Sequence, residues 1–167
     1  RVLGDVYKRQ VLETIGRVTT VAFDKTGTLT VGKPKVTDIV GLGRSERDVL
    51  AITAALETGS SHPLAKAILD KAAMDHVPAP PASGLAAVNG KGIVGTIDGI
   101  EWFFGSPNAA EARGAKLDAI RARITAFNDD GKTVSVLASD RIMAGLVAMR
   151  DEPRADAKAG IQTLSAQ

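Results

Sequence analysis

Apolar positions along this chain fall into two periods, and the change from one to the other marks its elements. Val18 to Phe23 is a short β-branched run that ends at Asp24 and a glycine turn, the pattern of a buried parallel strand that delivers a carboxylate to its carboxyl end. Gly32-Lys33-Pro34 breaks the backbone, and Val36, Ile39, Val40 and Leu42 then predict a strand leaving that first sheet. Ser45-Glu46-Arg47-Asp48 has the form of a capping box, after which Val49, Leu50, Ile52 and Leu56 follow helical spacing to about Glu57. Gly59 stops that helix. His62-Pro63 opens the next, with proline in the first turn where its missing N–H costs nothing, and Leu64, Ile68, Leu69 and Ala72 form its buried stripe.

The proline-rich stretch from Val77 to Ala82 reads as a surface crossing, and strand-like text resumes at Leu85 to Val88, Ile93 to Ile97 and Ile100 to Phe104. Asp98-Gly99 between the last two is a strong hairpin signal. Ser106-Pro107 opens a short helix, and Leu117, Ile120, Ile124 and Phe127 mark a longer amphipathic one. Thr133 to Ala138 and Ile142 to Met149 form a second hairpin around Ser139-Asp140. After Asp151-Glu152-Pro153-Arg154 a helix is predicted to carry Ala157, Ile161 and Leu164. The fold class is therefore α/β: an antiparallel sheet with helices, inserted into a parallel domain of which only the first strand and a later strand–helix unit are present. The expected division is 1–10 as a non-native or linker segment without periodic pattern, 11–33 and 147–167 as two parts of the parallel domain, and 34–146 as the insert.

Composition narrows the function classes more than the fold. The 167 residues carry 21 basic and 19 acidic side chains without long runs, a net charge of +2 that gives no case for a nucleic-acid partner or a membrane surface. The sequence has no cysteine and only two histidines, which excludes disulfides and thiolate or histidine-rich metal cages. No run approaches the roughly 18 apolar residues of a membrane span.

The chemistry concentrates in Asp24-Lys25-Thr26-Gly27-Thr28-Leu29-Thr30. At the carboxyl end of a parallel strand, Asp24 is placed to attack a phosphoryl group, with Lys25 and the Thr26 and Thr28 hydroxyls and amides available to its oxygens. Hydrolases built this way usually carry a second Asp two residues on as acid/base; here that position is Thr26, whose hydroxyl cannot do that proton transfer near neutral pH. An aspartyl-phosphate formed here should therefore persist. This heptapeptide resembles the phosphorylation motif of the P-type cation-transporting ATPases, and the resemblance extends over about residues 11–167.

Glu57-Thr58-Gly59-Ser60-Ser61-His62-Pro63 resembles the His-Pro motif of the heavy-metal branch of those transporters. An imidazole at a helix start can stack on or hydrogen-bond to adenine, while Glu57 can accept from the adenine amino group. Asn89-Gly90-Lys91-Gly92-Ile93-Val94-Gly95 matches a dinucleotide fingerprint by letter, but the β-branched residues after it predict a strand where that fingerprint requires a helix. In the transporters a Gly-x-Gly of this region lets a nucleotide lie against the backbone, and Gly90 and Gly92 take the matching positions. Copper-type relatives usually carry an ATP-holding Asn where this chain has Ser106, a shorter group; Asn108 is the candidate to compensate. Asp151-Glu152-Pro153-Arg154 resembles the Asp-x-x-Arg segment that begins the returning phosphorylation domain. There Arg154 reaches the nucleotide phosphates or Asp151 braces the hinge, and an ordinary turn with a surface ion pair fits the letters equally.

The resemblance implies an incomplete haloacid-dehalogenase-like phosphorylation domain with an inserted nucleotide-binding domain. It also implies transfer of the ATP γ-phosphoryl to Asp24, with Mg²⁺ held by Asp24 and the Thr26 carbonyl. The whole transporter would export a divalent metal ion bound by membrane helices, with this portion in the cytosol; Ser60-Ser61-His62-Pro63 and Asp-Glu-Pro-Arg look more like the zinc/cadmium/lead type than the copper type. The chain carries neither the family's Thr-Gly-Asp segment nor its Gly-Asp-Gly-x-Asn-Asp segment, so alone it is expected to bind ATP without efficient self-phosphorylation. A haloacid-dehalogenase-like phosphatase and a non-catalytic nucleotide-binding module are the alternatives.

Overall fold

The computed structural model describes residues 28–139, 142–157 and 161–163. Within them lies one six-stranded sheet, antiparallel throughout, in the order β1-β6-β5-β4-β3-β2. The strands are β1 (Thr30–Gly41), β2 (Ser83–Val88), β3 (Gly92–Ile97), β4 (Ile100–Gly105), β5 (Thr133–Ser139) and β6 (Ile142–Pro153). Helices α1 (Glu46–Leu56) and α2 (Pro63–Met74) lie on one face; α3 (Pro107–Ala112), a 3-10 turn (Asp118–Ile120) and α4 (Arg121–Asp129) lie on the other.

Strand alternation sorts side chains between the two cores. Trp102, Phe104, Leu137, Val147 and Met149 pack with Leu50, Leu56 and Ile68 of the first helical layer. Phe103, Val136, Leu146 and Ala148 turn the opposite way and meet Ala110, Leu117, Ile120 and Ile124. Because both faces are covered, β6 is buried without interruption from Ala144 to Met149. At the far edge β2 lies largely outside this cover, with Leu85 38% exposed.

Local signals in the sequence formed what they predict. The Ser45 hydroxyl accepts the Asp48 N–H at 3.1 Å, and the Asp48 carboxylate accepts the Ser45 N–H at 3.4 Å, completing the capping box of α1. Asp98 (φ 51°) and Gly99 (φ 76°) are both left-handed, the conformation of a type I′ hairpin turn.

Three expectations need adjusting. Gly32-Lys33-Pro34 does not break the chain ahead of the strand: β1 begins before it at Thr30 and runs through it with a register shift between Thr30 and Pro34, at a sheet edge where proline is tolerated. The helix expected from Leu117 begins as a 3-10 turn and becomes α-helical only at Arg121, for no side chain caps the turn at Leu117. Asp151 to Pro153 stay extended, because β6 continues opposite β1 as far as the Thr30–Pro153 pair. The divisions drawn at 33/34 and 146/147 fall inside this paired ribbon. The strand expected over Val18 to Phe23, segment 1–10, Leu164, and the Asp24, Lys25 and Thr26 site lie outside the described residues.

Candidate functional site

The link between α1 and α2 builds one wall of a cleft. Glu57 ends α1 with its N–H bonded to Thr53, Gly59 reverses the chain at φ 83°, and the Ser60 N–H donates to the Glu57 carbonyl at 3.0 Å. His62 then caps α2: its Nδ1 accepts the Leu64 N–H at 3.2 Å. With Nδ1 serving as acceptor, the proton of the neutral ring resides on Nε2, which leaves that N–H as a donor for a ligand.

The opposite wall comes from the sheet. It consists of the β2–β3 turn around Gly90 and Lys91, the end of β4 at Phe104 and Gly105, and Thr133 and Ser135 at the start of β5. Between the walls the cleft encloses about 430 Å³, within the range of small-ligand sites. Glu57, His62, Gly90 and Gly92 are thus brought to one place from separate elements. Burial pushes the Glu57 carboxyl above its ordinary value, and a hydrogen bond from Ser60 and the nearby His62 offset part of that rise.

The two glycines of the Gly-x-Gly do different work. Gly92 has φ 151° and pairs with Gly105 across β3 and β4; a Cβ on Gly92 would stand 2.3 Å from the Phe104 carbonyl oxygen. A Cβ on Gly105 would stand 2.1 Å from the Lys91 carbonyl oxygen. Strand contact alone demands glycine at both positions. Gly90 (φ 64°) faces open space, so the absence of a side chain there leaves the turn backbone accessible from the cleft.

Ser106 lines the cleft and also caps α3, its hydroxyl accepting the Ala109 N–H at 3.3 Å. Asn108 lines a second groove of about 370 Å³, shared with Arg121 and Asn128, which borders the cleft at Ser106, Thr133 and Val134. Arg154 is not among the residues lining the cleft. Its N–H donates to the Leu29 carbonyl at 2.9 Å and its guanidinium pairs with Asp156 at 3.3 Å. Asp151 braces the base of the ribbon, accepting the Thr30 hydroxyl and the Lys33 N–H.

Sequence reasoning did not single out Lys91, Phe104, Thr133 or Ser135. Thr133, Ser135 and Leu137 share one face by strand alternation, so two hydroxyls leading to a buried leucine were the available signal. Among the described residues, no group of three or more His, Cys, Asp or Glu could hold a metal ion.

The haloacid dehalogenase-like hydrolase model matches residues 18–167. The copper-transporting P-type ATPase of Rhizobium leguminosarum bv. viciae is 40% identical over 156 residues, 93% of this chain and 18% of that protein. The zinc/cadmium/lead-transporting P-type ATPase of Escherichia coli (strain K12) is also 40% identical over 156 residues, 93% of this chain and 21% of that protein. The chain therefore spans about a fifth of the length of these curated relatives. A crystal structure of a zinc-transporting PIB-type ATPase in the E2.Pi state superposes with a TM-score of 0.70 at 39% identity, over 93% of this chain and 25% of that one. The N-domain of a copper-transporting P-type ATPase covers 68% of this chain and 98% of its own, with a TM-score of 0.59 and 29% identity. The chain belongs to the haloacid dehalogenase-like hydrolase family, and its similarity falls on the metal-transporting P-type ATPases.

Proposed function

We propose that this chain is the nucleotide-binding and phosphoryl-accepting part of an ATP-driven heavy-metal exporter. The observation that carries the proposal is the convergence of Glu57 and His62 on one wall of a cleft whose other wall holds the open Gly90 turn. In this arrangement the Glu57 carboxylate accepts from the adenine amino group and the His62 ring stacks on the base or donates from Nε2. The Glu57 role does not suit guanine, which presents a carbonyl where adenine has its amino group. The base preference therefore rests on Glu57, and the His62 ring adds affinity without selecting between the two.

The reaction is attack of an Asp24 carboxylate oxygen on the γ-phosphorus. The new O–P bond forms as the bond to the β-phosphate oxygen breaks, and ADP leaves with that electron pair. Lys25 and the Thr26 hydroxyl are the proposed contacts to the phosphoryl oxygens. Mg²⁺, when bound by Asp24 and the Thr26 carbonyl, supplies charge neutralisation there. Thr26 in the place of a second acid favours a persistent phosphoenzyme over rapid hydrolysis.

The exported ion would be bound by membrane helices, with this portion on the cytosolic side. Among the described residues no helix is long and apolar enough to cross a membrane. Zinc, cadmium or lead is proposed over copper on the Ser60-Ser61-His62-Pro63 and Asp-Glu-Pro-Arg forms. The equal 40% identity to copper and zinc/cadmium/lead relatives neither adds to that preference nor opposes it.

The reaction is tested by incubating the longest natural chain containing this sequence with γ-labelled ATP and quenching in acid. Label that disappears in Asp24→Asn is expected. Label that survives Asp24→Asn, or Asp24-dependent turnover of simple phosphate esters with no trapped label, overturns the proposal.

A further inference from the structure

Lys91 stands between Gly90 and Gly92 on the sheet wall of the cleft, across from the Glu57–His62 link. Its backbone is held at both ends: the N–H donates to the Val88 carbonyl at 2.8 Å, and the carbonyl accepts the Ser106 N–H at 2.9 Å. Gly105 makes the second contact possible, since any Cβ there would meet the Lys91 carbonyl oxygen. The Cα of Lys91 is therefore fixed relative to the sheet.

Its side chain is not so held. Lys71, Lys132, Arg113, Arg121 and Arg154 each pair with a carboxylate. Among the described residues Lys91 pairs with none, and it is exposed. Among the described residues it is also the only Lys or Arg lining the cleft. An ammonium anchored at its Cα, free at its tip and flanked by residues without side chains suits a flexible polyanion better than a planar base.

We propose that Lys91 contacts the phosphates of the nucleotide, so that the ligand lies across the cleft with its base against Glu57 and His62 and its polyphosphate at the β2–β3 turn. This assignment rests on the nucleotide reading above. It gives the ligand a direction, which the base-binding pair alone does not.

The test is a calorimetric ladder of adenosine, AMP, ADP and ATP against the wild-type chain, Lys91→Ala and Lys91→Arg, at low and high NaCl, with circular dichroism to verify folding. Lys91→Ala is expected to weaken ATP binding about tenfold, the scale of one charge-assisted hydrogen bond, and to leave adenosine binding unchanged. Lys91→Arg should retain most of the ATP affinity. Added salt should weaken ATP binding to wild type more than to Lys91→Ala. Equal ATP affinity in wild type and Lys91→Ala, or equal loss for adenosine and ATP, overturns the assignment and leaves the nucleotide cleft standing. A folded wild type that binds no member of the series overturns the nucleotide reading itself, and the Lys91 assignment with it.

Discussion

The Asp151 carboxylate accepts the Thr30 hydroxyl at 2.5 Å, joining residues 121 positions apart where the chain enters and leaves the sheet. The same carboxylate accepts the Lys33 N–H at 3.0 Å, so one side chain ties both ends of the irregular start of β1 to β6. Asp151→Ala should lower unfolding stability by about 1–3 kcal/mol through loss of two bonds to a charged acceptor. Asp151→Asn, which keeps one acceptor oxygen, should lose less. Urea unfolding reads both; an unchanged midpoint in Asp151→Ala would show that the brace carries no stability.

Gly105 meets the turn of Gly92 across the β3–β4 pair, with no room for a methyl group on either side. Gly105→Ala should therefore cost about 2 kcal/mol or more, since the nearest obstructing atom, the Lys91 carbonyl oxygen, is backbone and cannot swing aside. It should also weaken ligand binding, because Lys91 and Ser106 are seated by the same contact. A variant with wild-type stability would refute the close approach.

Glu57 links the cleft to pH. Burial raises its folded-state pKa above the ordinary 4.5, so the folded chain holds that proton to higher pH than the unfolded chain does. Its contribution to stability is full below the unfolded pKa and is lost as pH rises through the folded one. Wild type should thus lose stability relative to Glu57→Gln between acid and neutral pH, and the two curves should run parallel above. Denaturation at a series of pH values measures the difference; a gap of the opposite sign contradicts the burial argument.

Ser60 modulates that titration. Its hydrogen bond pulls the Glu57 value back toward the ordinary one. Ser60→Ala should move the pH-dependent window upward without changing its sign. Tracking the Glu57 carboxyl carbon by NMR in both proteins measures this directly, and coincident titration curves would show that the hydroxyl does not act on the carboxylate.

What was readable in the sequence was local. The Ser45 box, the His62-Pro63 helix start and the Asp98-Gly99 turn each depend on residues within a few positions, and each formed as its chemistry dictates. The Glu57 and His62 wall was legible for the same reason, being a single short link. The opposite wall was not, because it needs β4 and β5 to come beside β3, a pairing that no short-range pattern encodes. Gly92 is an example: it lines the cleft, and the close approach of its strand partner Gly105, which its own letters do not encode, also demands glycine there. The passage of β1 through Pro34 likewise follows from its pairing with β6, more than a hundred residues later.

The central claim, that the Glu57–His62 cleft is an adenine-nucleotide site, is met most directly by calorimetric titration of this chain with ATP and GTP, in wild type, His62→Ala and His62→Asn. Asparagine retains a helix-capping acceptor while removing the ring, which separates base recognition from the stability of α2. The account predicts ATP binding in preference to GTP, weakened about tenfold or more in both variants. A folded wild type that does not bind ATP, or ATP binding indifferent to both substitutions, would contradict it.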